Sequence, residues 1–349
     1  MLMSIVELIR SRMRLALVGI SLALVAVACG SVAAAPPIPP DGPLVQQLTG
    51  DVSDARAMKH LQALQKIADE HGGNRAAGTA GYDASVEYVA RVLRNAGFKV
   101  SSPTYEASGG SHRRRASDLE RNVIAQTRTG DPSQVVMIGA HLDSVEEGPG
   151  IVDDGSGVAT LLEIATQLGA DPSVQNMVRF GFFGGEENGA EGSTGYVEGL
   201  SAADRQKIKL YLNVDMVASP NGGYFVQGGK GDDPEETGPA GSATIARVLA
   251  DQLVKTGVTS PEIIEFVGDD ESAFIEAGIP VGGAENGDAD DKTREQAKAW
   301  GGQAGEPYDR CYHEACDTIN NVNRDVLNHY MRALAGTLAH FAASTEELR

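Results

Sequence analysis

Apolar segments of strand length recur along this chain and alternate with segments that have the apolar spacing of helices. The strand segments are QVVMIGAHL (134–142), MVRFGFF (177–183) and KLYLNVDMV (209–217), and they are apolar over most of their length. Strands of this kind are buried on both faces, as happens when helices cover both sides of a parallel sheet. The sequence therefore predicts an α/β fold with a mixed, mostly parallel central sheet flanked by helices on both faces.

The segments between and after these strands predict the helices. Apolar residues recur at helical spacing in four of them, at 82–97, 157–170, 242–257 and 323–341. No repeat and no second linker interrupts residues 46–349, so we expect a single globular domain there. In sheets of this type, binding sites form beyond the carboxyl ends of the strands.

The N-terminal part of the chain has a different composition from the rest. Residues 1–28 combine basic side chains with an apolar stretch too short for a comfortable membrane span, which is typical of a signal peptide for export. Small residues precede Cys29, as at the lipidation site of bacterial lipoproteins, although Ala26 stands where Leu is usual. We therefore expect an exported protein, anchored to the membrane of the cell envelope by a lipid on Cys29, with an extended Ala/Pro-rich tether at 29–45. The alternative is cleavage after Ala33–Ala35, which would release a secreted protein.

The chain is strongly acidic, with 48 Asp and Glu residues against 29 Lys and Arg residues and a formal net charge of −19. Binding to phosphate groups needs a basic surface, so this balance argues against nucleic acid as a partner. The basic segment HRRR (112–115) lies in a Gly/Ser-rich stretch and is interpreted as solvated surface, with contact to an anionic envelope as the alternative. We expect the protein to act as a monomer.

Two cysteines remain once Cys29 is assigned to a lipid anchor, namely Cys311 and Cys316 in the segment CYHEAC. An exported protein is able to form a disulfide between them. The alternative is a zinc site that uses both thiolates, but the second cysteine pair of such a site is missing. The sequence therefore favours a disulfide.

Side chains that bind metals follow each of the three predicted strands, and others lie in later loops. They are His141, Asp143, Asp153, Asp154, Glu186, Glu187, Asp215 and His313. One His and one carboxylate for each metal, with a further carboxylate shared, would hold two zinc ions about 3.5–4 Å apart, as in two-metal hydrolases. Any one of these pieces alone would more often lie in a solvated loop, but together and in this order they indicate a two-metal centre.

These residues and their surroundings resemble the bacterial di-zinc aminopeptidases of metallopeptidase family twenty-eight. The resemblance includes GGNRAAGTAGYDAS (72–85), GAHLDSVEEGPGIVDDGSG (139–157), FGGEENGAEGS (183–193), YLNVDMVASPN (211–221) and DRCYHEACDT (309–318). It implies an exported enzyme of the leucyl aminopeptidase type that binds two Zn²⁺ per chain. Its substrates would be peptides and proteins with a free N-terminus, whose first peptide bond it hydrolyses. No site for calcium is assigned.

The resemblance also assigns the metal ligands. It gives one zinc ion to His141 and Asp215 and the other to Glu187 and His313, and it makes Asp153 the bridging ligand.

Further residues have assigned roles around these ligands. Because successive side chains of an extended segment point to opposite sides, Glu186 would face the water between the metals and act as general base. Asp143 would orient the His141 ring, with a loop-capping role as the alternative, and Asp154 is interpreted as structural. Tyr312 would donate a hydrogen bond to the developing oxyanion, with packing in the loop as the alternative. The disulfide would clamp this loop.

Substrate specificity is assigned to two residues. Met216 follows a metal ligand and is predicted to line the pocket for the first side chain of the substrate, with core packing as the alternative. Glu285 stands where the family usually has an apolar or aromatic residue, and we predict that it favours Lys or Arg at the substrate N-terminus, with a solvated surface role as the alternative. Residues 267–274 depart from the family pattern, so no amine-binding residue is transferred from that loop.

Other functions are possible on the same fold. A glutaminyl-cyclase-like enzyme would work with one zinc ion, and a carboxypeptidase would need basic residues for the substrate carboxylate and usually extra domains. Related di-zinc exopeptidases carry a separate dimerisation domain, for which no insertion is visible here. An inactive binding protein would lack ligands or the base. The complete set of ligands together with Glu186 favours the aminopeptidase.

Overall fold

The structure is a computed structural model, and it describes residues 38, 40–107, 119–229, 238–345 and 348. The predicted signal peptide, Cys29 and the basic segment 112–115 lie outside the described residues. Residues 40–349 belong to one folded unit. Within the described residues, no helix is both long enough and apolar enough to cross a lipid bilayer.

An eight-stranded mixed sheet lies at the centre of this unit, and two further strands pair separately. The strands are β1 (Lys99–Ser101), β2 (Thr104–Glu106), β3 (Leu119–Arg121), β4 (Val123–Gln126), β5 (Asp131–His141), β6 (Asn176–Phe183), β7 (Ile208–Val214), β8 (Phe225–Gln227), β9 (Glu262–Ile264) and β10 (Val281–Glu285). The order in the large sheet is β1-β4-β6-β5-β7-β10-β8-β9. The central strands β6, β5, β7 and β10 are mutually parallel, whereas β4 and β8 run antiparallel to their inner neighbours.

The helices pack on both faces of the sheet, which confirms the predicted fold class. They are α1 (Pro43–Asp51), α2 (Asp54–Glu70), α3 (Ala80–Asn95), α4 (Gly155–Leu168), α5 (Glu191–Gly199), α6 (Ala202–Arg205), α7 (Ser242–Lys255), α8 (Glu271–Glu276), α9 (Arg294–Trp300) and α10 (Arg324–Ala343). Helices α4 and α10 pack on each other and on β5. On α8, Phe274 stacks on Tyr211 of β7, with ring centroids 3.8 Å apart.

The strand register explains why the central strands end at the same level of the sheet. Residues 135–141 of β5 are all buried, which accounts for their apolar sequence. In the parallel pairing of β5 with β6, His141 lies opposite Phe183, so both strands end at the same level. Strand β7 ends at Val214. Two residues later, Met216 has a positive φ of 45°, which turns the chain away from the sheet.

The structure corrects one predicted boundary. Helix α1 begins at Pro43, so the last residues of the predicted tether at 29–45 are helical. Proline is favoured in the first turn of a helix because its missing N–H would have no intrahelical partner there. An Ala/Pro-rich composition is therefore compatible with a helix start, and residues 43–45 belong to α1 rather than to the predicted tether.

Candidate functional site

The predicted metal ligands meet at the carboxyl edge of the central strands. His141 is the last residue of β5, and Asp215 directly follows β7. Glu186 and Glu187 follow β6 after a two-glycine turn in which Gly185 has a φ of 68°, a conformation that favours glycine. Because β6, β5 and β7 are neighbours in the sheet, these side chains converge as expected for a parallel α/β sheet.

Asp153 lies between the two histidines. His141 Nε2 is 3.0 Å from Asp153 Oδ1 and 3.5 Å from Asp215 Oδ1. His313 Nε2 is 3.2 Å from Asp153 Oδ2 and 3.0 Å from Glu187 Oε2. Each carboxylate oxygen of Asp153 therefore faces a different His–carboxylate pair, as expected of a ligand shared by two metals.

Several buried polar atoms of this cluster lack a hydrogen-bond partner, and for this reason the residues fit a zinc centre. Among the described residues, His141 Nδ1, Glu187 Oε1 and Asp215 Oδ1 are buried without a hydrogen-bond partner. An unpaired buried polar atom costs about 1–3 kcal/mol, so the cluster is unfavourable unless a cation satisfies it. Imidazole nitrogens and carboxylate oxygens are ligands that zinc prefers.

Asp154 also lies near the centre, within a group that could hold a metal together with His141 and Asp215. Its Oδ1 accepts hydrogen bonds from Gly157 N at 2.8 Å and from Met216 N at 3.1 Å, which caps α4 and ties it to the turn after β7. A Cβ on Gly157 would overlap this carboxylate, so only glycine fits there. These contacts support the structural role predicted for Asp154.

Burial and charge shift the pKa values of this cluster. Burial, and after it the carboxylate of Asp215, raises the pKa of Glu186 to about 9, and burial together with Asp153 raises that of Glu187 to about 7. Hydrogen bonds to Asp153 and Glu187 raise the pKa of His313 to about 10. Without a cation the cluster therefore holds protons that balance its carboxylates. A divalent metal supplies that positive charge instead, and its binding releases protons.

Asp143 is buried beside His141, as predicted, with its Oδ1 3.7 Å from His141 Nδ1. This separation exceeds hydrogen-bond distance. The same oxygen accepts a hydrogen bond from Glu186 N at 3.2 Å. Asp143 therefore connects the segment after β5 to the segment after β6, and its orienting role towards the imidazole remains a prediction.

The loop that carries His313 is closed by the predicted disulfide between Cys311 and Cys316, with Cα atoms 5.2 Å apart. The alternative of a zinc site with both thiolates is therefore not what the structure shows. Tyr312 stacks on His313 with ring centroids 3.9 Å apart, and both line the cavity at the centre. The loop thus places the phenol ring of Tyr312 and the imidazole of His313 at the same cavity.

A cavity of about 710 Å³ opens beside the cluster. Glu186, Met216 and Glu285 line it, together with the loop that carries Tyr312 and His313. A volume of this size suits a small ligand or the end of a peptide. The structure therefore places both residues predicted for specificity in the same cavity as the predicted base.

Arg75 is a buried residue for which no role was predicted. Its guanidinium donates to the carbonyl oxygens of Leu142, Pro149 and Gly150, with a distance of 2.9 Å from Nε to Pro149 O. Its backbone N–H donates to Ser144 Oγ at 2.9 Å. Arg75 thus holds the segment between His141 and Asp153 in place. The only feature of the sequence that pointed to Arg75 was its position in a Gly-rich segment that carries the family resemblance.

Asp317 was also missed, and it positions Asp153, the predicted bridging residue. Its buried carboxylate accepts hydrogen bonds from Val152 N at 2.9 Å and from Asp153 N at 3.1 Å. It directly follows Cys316, so the disulfide loop and the Asp153 loop are joined at this point. The feature from which a role for Asp317 could have been predicted is its position next to a disulfide cysteine in the segment ACDT.

Replacing Asp317 with Asn is expected to weaken metal binding by about 10–100-fold, the loss typical of residues that hold a ligand in place. The new amide N–H₂ would face backbone N–H donors, so the Asp153 loop would shift. Isothermal titration of the metal-free protein with zinc measures this. Glu314→Gln, an exposed change in the same loop, is the control. Equal zinc affinities for the two variants would contradict the positioning role.

The chain matches peptidase family M28 over residues 122–338. It is 42% identical over 326 residues to leupeptin-inactivating enzyme 1 of Streptomyces exfoliatus, a match that covers 92% of this chain and 67% of that protein. It is 44% identical over 283 residues to the probable lipoprotein aminopeptidase LpqL of Mycobacterium tuberculosis, covering 78% of this chain and 56% of that protein. The matched chain thus spans between about half and two thirds of the length of these relatives.

Two solved structures share the fold at low sequence identity. A zinc aminopeptidase from Bacillus subtilis superposes with a TM-score of 0.67 at 16% identity, covering 85% of this chain and 97% of that one. A glutaminyl cyclase from Porphyromonas gingivalis gives a TM-score of 0.61 at 20% identity, covering 82% and 98%. At these identities the likeness concerns the fold alone. The family match, the sequence identity to LpqL and the clustered ligand residues agree, and the chain belongs to peptidase family M28.

Proposed function

We propose that this protein is an exported aminopeptidase that uses two zinc ions to hydrolyse the N-terminal peptide bond of peptides and proteins. The observation that carries the proposal is Asp153, whose two oxygens face separate pairs, His141 with Asp215 and Glu187 with His313. These five side chains would hold the two ions. The names of relatives as aminopeptidases support the reaction.

Zinc, when bound, polarises the carbonyl of the scissile bond and lowers the pKa of water. Glu186 would take a proton from the attacking water on a carboxylate oxygen and deliver it to the nitrogen of the leaving amine. Glu186 must be ionised to accept this proton. The metal cations that Asp153 and Asp215 would hold favour the ionised form. Tyr312 would donate its hydroxyl proton in a hydrogen bond to the carbonyl oxygen as negative charge develops there. Asp143 accepts a hydrogen bond from the backbone N–H of Glu186 and would in this way keep the base in place.

The location of the enzyme belongs to the same proposal. A relative named as a probable lipoprotein aminopeptidase supports attachment to the cell envelope through Cys29 after removal of the signal peptide 1–28. The tether would then hold the peptidase domain away from the membrane, where a monomer could reach peptide substrates.

The experiment is a measurement of zinc content together with hydrolysis of matched peptides whose N-terminus is free or acetylated. We expect two zinc ions per chain and cleavage of the free-amine peptide alone. Removal of metal with a chelator should abolish the activity, and added zinc should restore it. Cleavage of the acetylated peptide at an equal rate, or full activity in the chelated protein, would contradict the proposal.

A further inference from the structure

We infer that the cavity selects substrates whose N-terminal residue is Lys or Arg, and that Glu285 and Asp269 bind the cationic end of that side chain. This inference rests on the proposed aminopeptidase function. It extends the prediction made from the sequence for Glu285 by a second carboxylate, Asp269, and by an apolar wall for the stem of the substrate side chain.

The position of Glu285 follows from the sheet. It is the last residue of β10, which pairs in parallel with β7. Ala284 lies opposite Val214 in this register, so Glu285 and Asp215 are the next residues of two adjacent strands, whose backbones run about 5 Å apart. Asp215 N also donates to Ala284 O at 3.1 Å. A substrate residue held at the Asp215 side of the centre would therefore have its side chain within reach of Glu285.

Glu285 is held in place without a basic partner among the described residues, and burial raises its pKa to about 7, so a bound cation would favour its ionised form. Gln227 Nε2 donates to Glu285 Oε2 at 3.2 Å, and the hydroxyl of Tyr330 donates to the backbone carbonyl of Glu285. In the described part of the chain, no Lys or Arg forms an ion pair with this carboxylate. A partly buried carboxylate held by a single amide donor can accept further hydrogen bonds from an ammonium or a guanidinium. A solvated surface role for Glu285 is thus disfavoured.

Asp269 supplies a second carboxyl group from another part of the chain. Burial and the neighbouring carboxylates raise its pKa, so a bound cation would favour its ionised form. It lies just before α8 and lines the same cavity as Glu285. No side chain of the described residues donates a hydrogen bond to it. Glu262 and Asp288 line the cavity as well, and no Lys or Arg is among its lining residues. A negative potential enclosed by protein attracts and holds a cationic group.

The remaining wall explains why a long side chain fits. Met216, Phe225 and Ile264 line the cavity together with the two carboxylates. Lys and Arg carry an apolar stem of three or four methylene groups below the charge, and such stems pack against apolar surface while the charge remains paired. A cavity with carboxylates alone would suit a small cation equally well. The combination with apolar side chains favours a basic amino-acid side chain.

The test compares aminoacyl-methylcoumarin substrates that carry lysine, arginine or norleucine, since norleucine has the lysine stem without its charge. For the zinc-loaded protein we expect kcat/KM for the lysine and arginine substrates to exceed that for norleucine by about 10–100-fold, the range for hydrogen bonds to charged groups. Glu285→Gln should lower this preference about 10-fold or more, because the Gln amide cannot pair with the substrate charge. Asp269→Asn should lower the preference independently. Glu265→Gln, an exposed change outside the cavity, is the control and should leave the preference intact.

Two results would overturn the inference in distinguishable ways. A protein that prefers norleucine over lysine, with a preference that is unchanged in both variants, retains the aminopeptidase function but lacks the proposed selectivity. A zinc-loaded protein that hydrolyses none of the three substrates contradicts the proposed function itself, and the inference fails with it.

Discussion

Glu186→Gln is expected to lower kcat by at least about 10²–10⁴-fold while the protein still binds its metal. The amide of Gln keeps the shape of the side chain but cannot accept a proton. The neighbouring change Glu187→Gln should act differently, because Glu187 Oε2 lies 3.0 Å from His313 Nε2 in the predicted ligand cluster. We expect its zinc affinity to fall by at least about 10–100-fold.

The two variants serve as controls for each other, since they are adjacent, isosteric and of equal charge change. Zinc content after dialysis and kcat at saturating zinc should be measured for both. Excess zinc should restore much of the activity of Glu187→Gln and none of that of Glu186→Gln. Equal loss of metal in both variants would show that the division into base and ligand is wrong.

Arg75→Met is expected to lower the free energy of unfolding by about 3–5 kcal/mol, as when one partner of a buried charged network is removed. The carbonyl oxygens of Leu142, Pro149 and Gly150 would be left buried without the guanidinium that now donates to them. Nearby carboxylates, including Asp143, would also lose a compensating charge.

Urea denaturation of the metal-free protein measures this loss without a contribution from bound zinc. Arg128→Met is the matched control, because Arg128 is exposed and paired with Asp171 at the surface. Exposed ion pairs of this kind are screened by water and contribute little to stability. A similar effect of the two changes would mean that Arg75 does not hold the loops as described.

The centre of the fold was predictable because its strands are long and apolar. Strands β5, β6 and β7 have enough consecutive buried residues to be recognised, and the candidate ligands at or after their ends could be placed at one edge. Strands such as β8 and β9 have three residues each, which is too short for any periodicity to appear. Their positions depend on partners that are far away in the sequence.

The same reason explains the two residues that the sequence did not reveal. Arg75 acts on the segment after β5, and Asp317 acts on the backbone at Asp153, in each case across a large separation along the chain. Neither side chain has a local pattern that indicates its partner. Glu187 and His313 could be predicted to lie together because a carboxylate and an imidazole are side chains that zinc prefers. A residue that binds backbone groups has no such signature.

The position of the His313 loop in the chain affects how the centre is assembled during synthesis. The loop follows β10, the last strand in the described part of the chain, and it precedes α10, whose buried residues cover the sheet. A nascent chain that has emerged as far as β10 contains His141, Asp153 and Asp215 but lacks His313. Translation that stops there omits one predicted metal ligand and a main covering helix together. We therefore expect incomplete chains, which would lack the packing of α10 as well as one predicted ligand, to be degraded rather than to be partly active.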